Sequence, residues 1–437
     1  MRAYKAAEML RLKDPNLNAR YAPGVNSEAY LWRVCEVNAL TRATPSLHND
    51  DAIVPALVAQ GFALEHARDW TATGCVEPTS CGRHFGHTNC MMLNLVAPLE
   101  MALHDGWHPV LHSQVGPHSG AAESFANYES FWEAYKTQLG FVIDKSVEAN
   151  NLLGRAHQTL KPSPLFSALF DGPMQAGKDV TQGGALYNTS GTAMIGLTDV
   201  VDSLAAVHLL VFEEKQLSLA ELVRALEANF VGHETLALQL TRKVPKFGQR
   251  NALTQRLAGD VQAFVSERFA AQEHYRGGRY LPGYWSMSNH VAFGLLSGAL
   301  PSGRPKGKPF TPGLTPSATA SASLTNQMHA VAQLDRTHMP NNIAFNIKVV
   351  PGPKDTHRQL VDRMTAYAAA YFELGGMQMQ FNVVSTETLR DAMQNPDEYR
   401  DLLVRISGYN AYFVELNRDI QMELIERMDH TLGGEPS

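Results

Sequence analysis

Short strand patterns separated by a long helical pattern most restrict how this chain can fold. Apolar and polar residues alternate over residues 343–349 and again over 377–383, as they do in β-strands. Between them, Thr356 and Gln359 have the spacing of a capping box for a helix that runs to about Phe372. Strands joined by helical crossovers pair in parallel. The sequence therefore predicts an α/β fold, with parallel strands and surrounding helices.

Three further segments carry a helical pattern. Residues 50–69 and residues 192–215 repeat apolar side chains every three or four positions, which predicts two buried helices. Ser218 and Glu221 form a capping box at the start of the next helix. Residues 300–323 are rich in Pro, Gly, Ser and Thr. This segment is either a linker between domains or a long loop over a site.

Composition and charge argue against several classes of protein. The chain has 437 residues, a formal net charge of -6 and no run of Lys or Arg, which disfavours nucleic acid and anionic membranes as partners. No apolar stretch reaches the length of a membrane span. Only four cysteines occur, so a disulfide framework is not expected. We expect a reduced, cytoplasmic protein.

The motif TGCVEP, residues 73–78, is the first candidate for chemistry. Gly74 permits a sharp turn and Pro78 ends regular structure, so Cys75 is predicted at the tip of a loop. Cys75 and Glu77 are two positions apart and leave an extended backbone on the same side. A nearby carboxylate raises the pKa of a thiol and suppresses thiolate. The pair therefore suits a neutral thiol or thiyl radical, with Glu77 moving protons.

The second candidate is Gly408, within VRISGYNAYF at residues 404–413. One interpretation is conformational, because glycine allows a tight turn after a strand. The other is chemical. A Cα radical is planar and delocalises into the flanking carbonyl and amide, and only a residue without Cβ accepts that geometry uncrowded.

Taken together, these motifs give the chain a family resemblance. Residues 404–413 resemble the radical-site signature of glycyl radical enzymes, in the pyruvate formate-lyase-like superfamily, with Gly408 as the radical carrier. Further blocks resemble that family in the same order, over about residues 40–430. These blocks are TPSLHNDD (44–51), GCVEP (74–78), GGALYNTSG (183–191), LPSGRP (300–305) and QFNVVS (380–385).

The resemblance implies a fold and a division into domains. It implies half of a ten-stranded α/β barrel, in which residues 1–390 are the C-terminal part of the barrel domain with the cysteine loop. Residues 391–437 would be the glycine radical domain. Family members are about twice as long, so we expect a fragment, a split-gene subunit or a truncated gene product. Such a half barrel would leave open sheet edges and be poorly stable alone.

The resemblance also implies partners. The loops of Cys75 and Gly408 would meet inside the barrel, with no bound metal or organic cofactor. A separate activating enzyme that uses S-adenosylmethionine and an iron–sulfur cluster would install the radical at Gly408. The expected partners are that activating enzyme, a small-molecule substrate and the N-terminal half if it is encoded separately. A homo-oligomer is also expected.

The residues around Cys75 reduce the number of candidate reactions. Pyruvate formate-lyase-like acyl transfer uses two adjacent cysteines, whereas Gly74 and Val76 flank Cys75 here. The Cys-x-Glu pattern resembles the dehydratase and decarboxylase branches. There a thiyl radical abstracts a substrate hydrogen and the glutamate exchanges a proton. The sequence therefore indicates a lyase.

The loop after the cysteine suggests a substrate. His87, Thr88 and Asn89 stand where diol dehydratase relatives carry Trp-His-Asp, and losing that carboxylate disfavours a polyol. We therefore expect decarboxylation of an arylacetate-type acid. The alternatives are dehydration of a small diol and a non-catalytic remnant that binds a partner. The predicted substrate-binding residues are His84, His87, Asn89 and Tyr187.

A metal site is the remaining alternative for this loop. Three cysteines and two histidines lie within sixteen residues, but their spacing matches no standard zinc pattern, and no metal is predicted. Arg405 is expected to support the glycine loop. Trp285 and His290 are expected to be packing residues more often than site residues.

Overall fold

The computed structural model describes residues 1–432, which form two β-sheets surrounded by helices. The first sheet has the strand order Asn18–Tyr21, Ser46–Asn49, Gln378–Val383, Asn346–Val349 and Asp429–His430. Its neighbours pair in parallel, except that Ser46–Asn49 and Gln378–Val383 are antiparallel. In the second sheet, Tyr187–Ile195 pairs in parallel with Arg279–Gly283, His84–Phe85 and Met91–Asn94.

Three antiparallel hairpins complete the strands. They are Trp70–Thr73 with Glu77–Ser80, Trp107–His108 with Ser113–Gln114, and Leu403–Arg405 with Asn410–Tyr412. The first and third hairpins carry the two sequence motifs, and their turns contain Cys75 and Gly408.

Helices account for most of the remaining regular structure. The α-helices of eight or more residues are Arg2–Leu10, Glu28–Thr41, Asp50–Ala59, Val96–Leu103, Tyr128–Leu160, Leu197–Ala206, Leu219–Glu227, Glu234–Arg242, Ala252–Ala270, Leu324–Ala332, His357–Glu373, Thr386–Gln394 and Arg418–Glu426. Shorter α-helices are Leu64–Arg68, Pro164–Ser167, Pro173–Ala176 and Asn289–Leu295. Single 3₁₀ turns are Ala122–Ser124, Val180–Gln182, Ala318–Ala320, Arg336–His338, Pro396–Tyr399 and Phe413–Glu415.

The predicted strand–helix–strand unit is confirmed. Asn346–Val349 and Gln378–Val383 pair in parallel, and His357–Glu373 connects them. Thr356 caps this helix in the predicted capping box, in which its hydroxyl oxygen accepts from the backbone N–H of Gln359. The α/β prediction with mostly parallel strands is therefore correct.

Two predicted helices were wrong in part. Residues 192–195 belong to the strand Tyr187–Ile195, because parallel neighbours on both sides complete their backbone hydrogen bonds. The helix begins only after Gly196, and residues 207–213 continue it as a π-helix. The segment 50–69 is two helices, since the chain turns at Gly61 with φ +92°.

The buried apolar residues of the described chain form two main clusters and a small third one of Val76, Ala193, Trp285 and Ala344. The largest cluster covers both sheets. A smaller cluster holds the C-terminal hairpin and helices together, and its buried members include Val384, Leu389, Val404, Phe413 and Leu424. The proposed domain boundary at residue 390 stays a prediction, and residues 433–437 of the predicted glycine domain lie outside the described residues.

The Pro- and Gly-rich segment is a packed loop. Apart from the 3₁₀ turn Ala318–Ala320, residues 300–323 contain no helix or strand, yet Leu300 and Phe310 are buried. The Asp199 carboxylate accepts from the backbone N–H and the hydroxyl of Thr311, at 2.9 and 2.7 Å. The loop and residues 423–430 line a cavity of about 380 Å³. Among the described residues, no helix combines the length and apolarity needed to cross a bilayer.

Lys348 joins the first sheet to the C-terminal helix Arg418–Glu426, and its removal provides a test of this arrangement. Its Nζ donates to Leu424 O and Ile425 O at 3.2 and 3.0 Å and pairs with the Asp429 carboxylate at 2.8 Å. In Lys348→Met, we expect the free energy of unfolding to fall by about 1–3 kcal/mol, because buried carbonyls lose their donor.

Urea unfolding and amide hydrogen exchange of the C-terminal helix would measure this effect. Lys354→Met, at an exposed position, is the matched control. Equal stability of the two variants would contradict the proposed role of Lys348.

Candidate active site

Cys75 lies at the tip of the first hairpin, as predicted. Thr73 pairs with Glu77, so residues 74–76 form the turn. Gly74 has φ +66°, a conformation that glycine adopts without strain. The thiol is therefore carried on a short turn whose shape depends on Gly74.

The Glu77 carboxylate folds back under this turn. Its Oε2 accepts from the backbone N–H groups of Cys75 and Val76, at 2.9 and 2.6 Å. Its Oε1 accepts from the hydroxyl of Thr88, at 3.3 Å. Glu77 is only 2% exposed, and this burial raises its pKa even though the backbone donors oppose the shift. Glu77 thus fixes the cysteine loop and is suited to hold a proton.

The surroundings of Cys75 keep its thiol neutral. Burial, and next the Glu77 charge, raise the pKa of Cys75 to about 12, against a lowering by Arg405. The side chain packs in an apolar cluster with buried Val76 and Trp285. Sequence reasoning predicted this neutral thiol from the Cys-x-Glu spacing alone.

Gly408 lies directly against Cys75. It sits in the turn of the hairpin Leu403–Arg405 and Asn410–Tyr412, with φ +105°. A Cβ at position 408 would lie 2.6 Å from Cys75 Cβ and 3.1 Å from Cys75 Sγ. The glycine is therefore required both by the backbone conformation and by the contact between the two loops.

Arg405 supports the glycine loop, residues 406–409, from inside the fold. Its side chain is fully buried. Nε donates to Gln380 Oε1 at 2.7 Å, and Nη1 donates to Asn410 Oδ1 at 3.1 Å and to Asn16 Oδ1. This is the role that the sequence analysis expected for Arg405.

A second arginine, directly after the C-terminal helix Arg418–Glu426, holds the same loop. Arg427 Nη2 donates to Ile406 O at 2.7 Å and also binds the Glu423 carboxylate at 2.8 Å. His290 is buried, and its Nδ1 shares a 3.0 Å hydrogen bond with the Ser286 hydroxyl while Nε2 faces Glu423. His290 therefore belongs to this support.

Of the four predicted substrate-binding residues, His84 and Tyr187 form hydrogen bonds within the fold, whereas His87 and Asn89 are exposed. His84 Nε2 lies 2.6 Å from the Thr189 hydroxyl, and burial lowers the pKa of His84 to about 3, so the ring is neutral. The Tyr187 hydroxyl accepts from Ala63 N at 3.1 Å. His87 and Asn89 are exposed on the loop before the strand Met91–Asn94. Contact of these residues with a substrate stays a prediction.

The sequence did not predict several residues that contact these loops, among them Asn16, Thr88, Arg427 and Asn342, whose Nδ2 donates to Val76 O at 2.8 Å. Thr88 lies within the loop predicted to contact substrate, whereas Asn16 and Arg427 lie outside both motifs in the sequence. Within residues 1–432, no three His, Cys, Asp or Glu side chains gather in a way that could hold a metal.

The chain matches two family models. Residues 1–294 match the family described as pyruvate formate lyase-like, and residues 310–414 match the family described as glycine radical.

Individual relatives agree with these matches. Trans-4-hydroxy-L-proline dehydratase from Clostridioides difficile is 31% identical over 97% of this chain and 53% of its own length. Indoleacetate decarboxylase from Tractidigestivibacter scatoligenes is 27% identical over 85% of this chain and 44% of its own length. The glycerol-bound structure of the B12-independent glycerol dehydratase from Clostridium butyricum superposes with a TM-score of 0.93 at 32% identity, covering 98% and 54% of the two chains. The chain thus spans about half the length of the curated relatives it matches.

The raised pKa of Cys75 leads to a test by alkylation. Because iodoacetamide reacts with thiolate, we expect the labelling rate of Cys75 to rise about tenfold per pH unit up to about pH 10, without a plateau. In Glu77→Gln the titration moves to lower pH, because the neighbouring negative charge is removed.

Mass spectrometry of the labelled peptides would follow this reaction, with the exposed Cys81 as an internal control for reagent. A rate for Cys75 that levels off below about pH 9 would contradict the described environment.

Proposed function

Because this chain belongs to the pyruvate formate lyase-like family of glycyl radical enzymes, we propose that it is the radical-bearing part of a glycyl radical lyase. The contact between Cys75 and Gly408 is the observation that carries this proposal. A Cβ on Gly408 would lie 3.1 Å from Cys75 Sγ, so a hydrogen atom can pass between the two residues without a large movement.

In the proposed reaction, Gly408 stores the radical on its Cα. That radical takes the hydrogen of the Cys75 thiol, which restores the glycine and leaves a thiyl radical. The thiyl radical then takes a hydrogen atom from a substrate carbon. After the substrate bond has broken, the product radical takes a hydrogen atom from the Cys75 thiol. The resulting thiyl radical then takes a hydrogen atom from Gly408 Cα, which restores the thiol and the glycyl radical.

Glu77 is proposed to move the proton that this sequence requires. Its burial and raised pKa allow the carboxyl group to hold a proton beside Cys75. In a dehydration, that proton would pass to the leaving hydroxyl group, which departs as water. Thr88 orients the carboxyl group through its 3.3 Å hydrogen bond.

Dehydration of a small hydroxylated molecule is the first candidate reaction. Two relatives of about the same similarity, at 31% and 32% identity, are dehydratases named for trans-4-hydroxy-L-proline and for glycerol. The acid role of Glu77 agrees with this reaction, since water is a poor leaving group until the hydroxyl is protonated.

Arylacetate decarboxylation is the second candidate. Asn89 stands where diol dehydratase relatives are expected to carry an aspartate, so a carboxylate that would bind a polyol is absent at this position. Phe85 packs edge-on against Phe166 and Phe170, with ring centroids 6.0 and 6.3 Å apart, and offers an aromatic surface near this loop. The indoleacetate decarboxylase relative supports this alternative at lower identity.

The proposed partners follow from the proposed radical function. The radical would be installed by a separate activating enzyme that uses S-adenosylmethionine and an iron–sulfur cluster, and the chain itself would bind no organic cofactor. A further polypeptide segment would complete the barrel, in cis or as a second chain. Exposed apolar side chains support this proposal, because a further segment would bury them. Among them are Leu152, Leu153, Leu160, Leu165, Leu169, Met174 and Leu186. Homo-oligomerisation stays a prediction.

Electron paramagnetic resonance tests the radical proposal. We expect anaerobic incubation of the completed enzyme with its activating enzyme, a reductant and S-adenosylmethionine to give a doublet from a glycine Cα radical. Gly408→Ala should give no doublet.

Gly177→Ala is the matched control, because Gly177 also has a positive φ, of +60°, but has open space around it. An unchanged doublet in Gly408→Ala would place the radical elsewhere in the chain.

Two substitutions separate the roles of Cys75 and Glu77. Cys75→Ser should keep the doublet and lose turnover, because an alcohol O–H bond is too strong for a glycyl radical to break. Glu77→Gln should keep the doublet and lose about 10²–10⁴-fold in turnover, which is the usual contribution of a positioned acid or base.

Turnover would be measured with a small diol and with phenylacetate in parallel, to separate the two candidate reactions. Cys81→Ser, at an exposed cysteine, serves as the control and should retain activity. Full activity in Glu77→Gln would remove the proton-transfer role.

A further inference from the structure

An N-terminal segment, residues 11–16, crosses the hairpin that carries Gly408. We call it the strap. The Tyr412 hydroxyl donates to Arg11 O at 3.1 Å, and Lys13 Nζ donates to the Glu415 carboxylate at 2.7 Å. These contacts lie at the surface and hold the strap beside the hairpin.

Asn16, at the end of the strap, reaches both loops of the site. Its Nδ2 lies 3.0 Å from Gly408 O and 3.4 Å from both Gly74 O and Cys75 O. Its Oδ1 accepts a hydrogen bond from Arg405 Nη1. One amide side chain therefore bridges the glycine loop, the cysteine loop and the buried guanidinium.

This bridge matters because the two loops share no direct hydrogen bond. Within residues 1–432, no hydrogen bond runs directly from residues 74–76 to residues 406–409. The contact between Cys75 and Gly408 is one of packing alone. The oxygen that Asn16 binds is also the carbonyl of Gly408, into which a Cα radical delocalises.

We propose that Asn16 is a positioning residue that holds the Gly408 carbonyl against the cysteine loop. It thereby sets the rate of hydrogen transfer between Gly408 and Cys75. The proposal rests on the proposed radical function. Misplacement of reacting groups by about 1 Å can cost about 100-fold in rate, so loss of this bridge should slow the transfer strongly.

A simpler role for Asn16 would be to serve only as an acceptor for Arg405. Asn16→Asp separates the two roles, because aspartate keeps an oxygen for Arg405 and loses the N–H donor toward the three carbonyls. Asn16→Ala removes both contacts. Lys13→Gln is the control on the same strap, since Lys13 contacts Glu415 and neither loop.

The first measurement follows the glycyl doublet in D2O. Hydrogen that passes between Gly408 and the exchangeable Cys75 thiol replaces the Cα hydrogen with deuterium, and the doublet collapses. We expect Asn16→Asp to form the radical and to slow the collapse at least about tenfold, with Lys13→Gln at the wild-type rate. Collapse of the Asn16→Asp doublet at the wild-type rate would overturn the proposal.

The second measurement requires no radical. Amide hydrogen exchange of the unactivated protein, read by mass spectrometry, should quicken about tenfold at residues 74–76 and 406–409 in Asn16→Asp and stay unchanged in Lys13→Gln. Exchange in the helix His357–Glu373 reports whether the variant is folded. If Asn16→Asp unfolds, amide exchange in Asn16→Ala tests whether the Asn16 side chain holds the two loops, and unchanged exchange there would overturn the proposal.

The two measurements distinguish failure of this proposal from failure of the proposed function. If the wild type gives no doublet, the radical function fails, and amide exchange alone decides whether Asn16 holds the loops. Unchanged exchange in both Asn16 variants would overturn the positioning role.

Discussion

The approach of Gly408 to Cys75 is the constraint on which the rest of the site depends. Any Cβ at position 408 would lie within 2.6 Å of Cys75 Cβ, so only a glycine allows these two backbone loops to touch. The hairpins that carry them belong to parts of the chain more than 300 residues apart. The sheets and the C-terminal apolar cluster therefore have to hold two distant turns in register at atomic accuracy.

Polar side chains maintain this register inside an apolar fold. Glu77 accepts from the backbone of the cysteine turn, and Arg427 donates to Ile406 O in the glycine loop. Arg405 donates to Asn410, directly after that loop, and Asn16 contacts both loops. Each is tied to hydrogen-bond partners, which offsets the cost of burying polar and charged groups. The same burial keeps the Cys75 thiol neutral and raises the pKa of Glu77, as hydrogen-atom and proton transfer would require.

Local signals predicted the parts of the structure that depend on local physics. The Thr356 cap and the Gly74 turn follow from neighbouring residues, and the structure contains them. The effect of the Glu77 charge on the Cys75 thiol is also local, but burial, which depends on the whole fold, raises the pKa of Cys75 more. The strand at residues 192–195 could not be read locally, because parallel neighbours on both sides override an apolar helical period. Asn16 was missed for a similar reason, since its contact with Gly408 spans 392 residues of sequence.

Hydrogen exchange into the glycyl radical tests the central claim, that Cys75 and Gly408 exchange a hydrogen atom directly. The completed, activated wild type would be placed in D2O and its electron paramagnetic resonance spectrum followed beside that of Cys75→Ser. The account predicts that the wild-type doublet collapses to a singlet while the Cys75→Ser doublet persists. Collapse at the same rate in both proteins would contradict it.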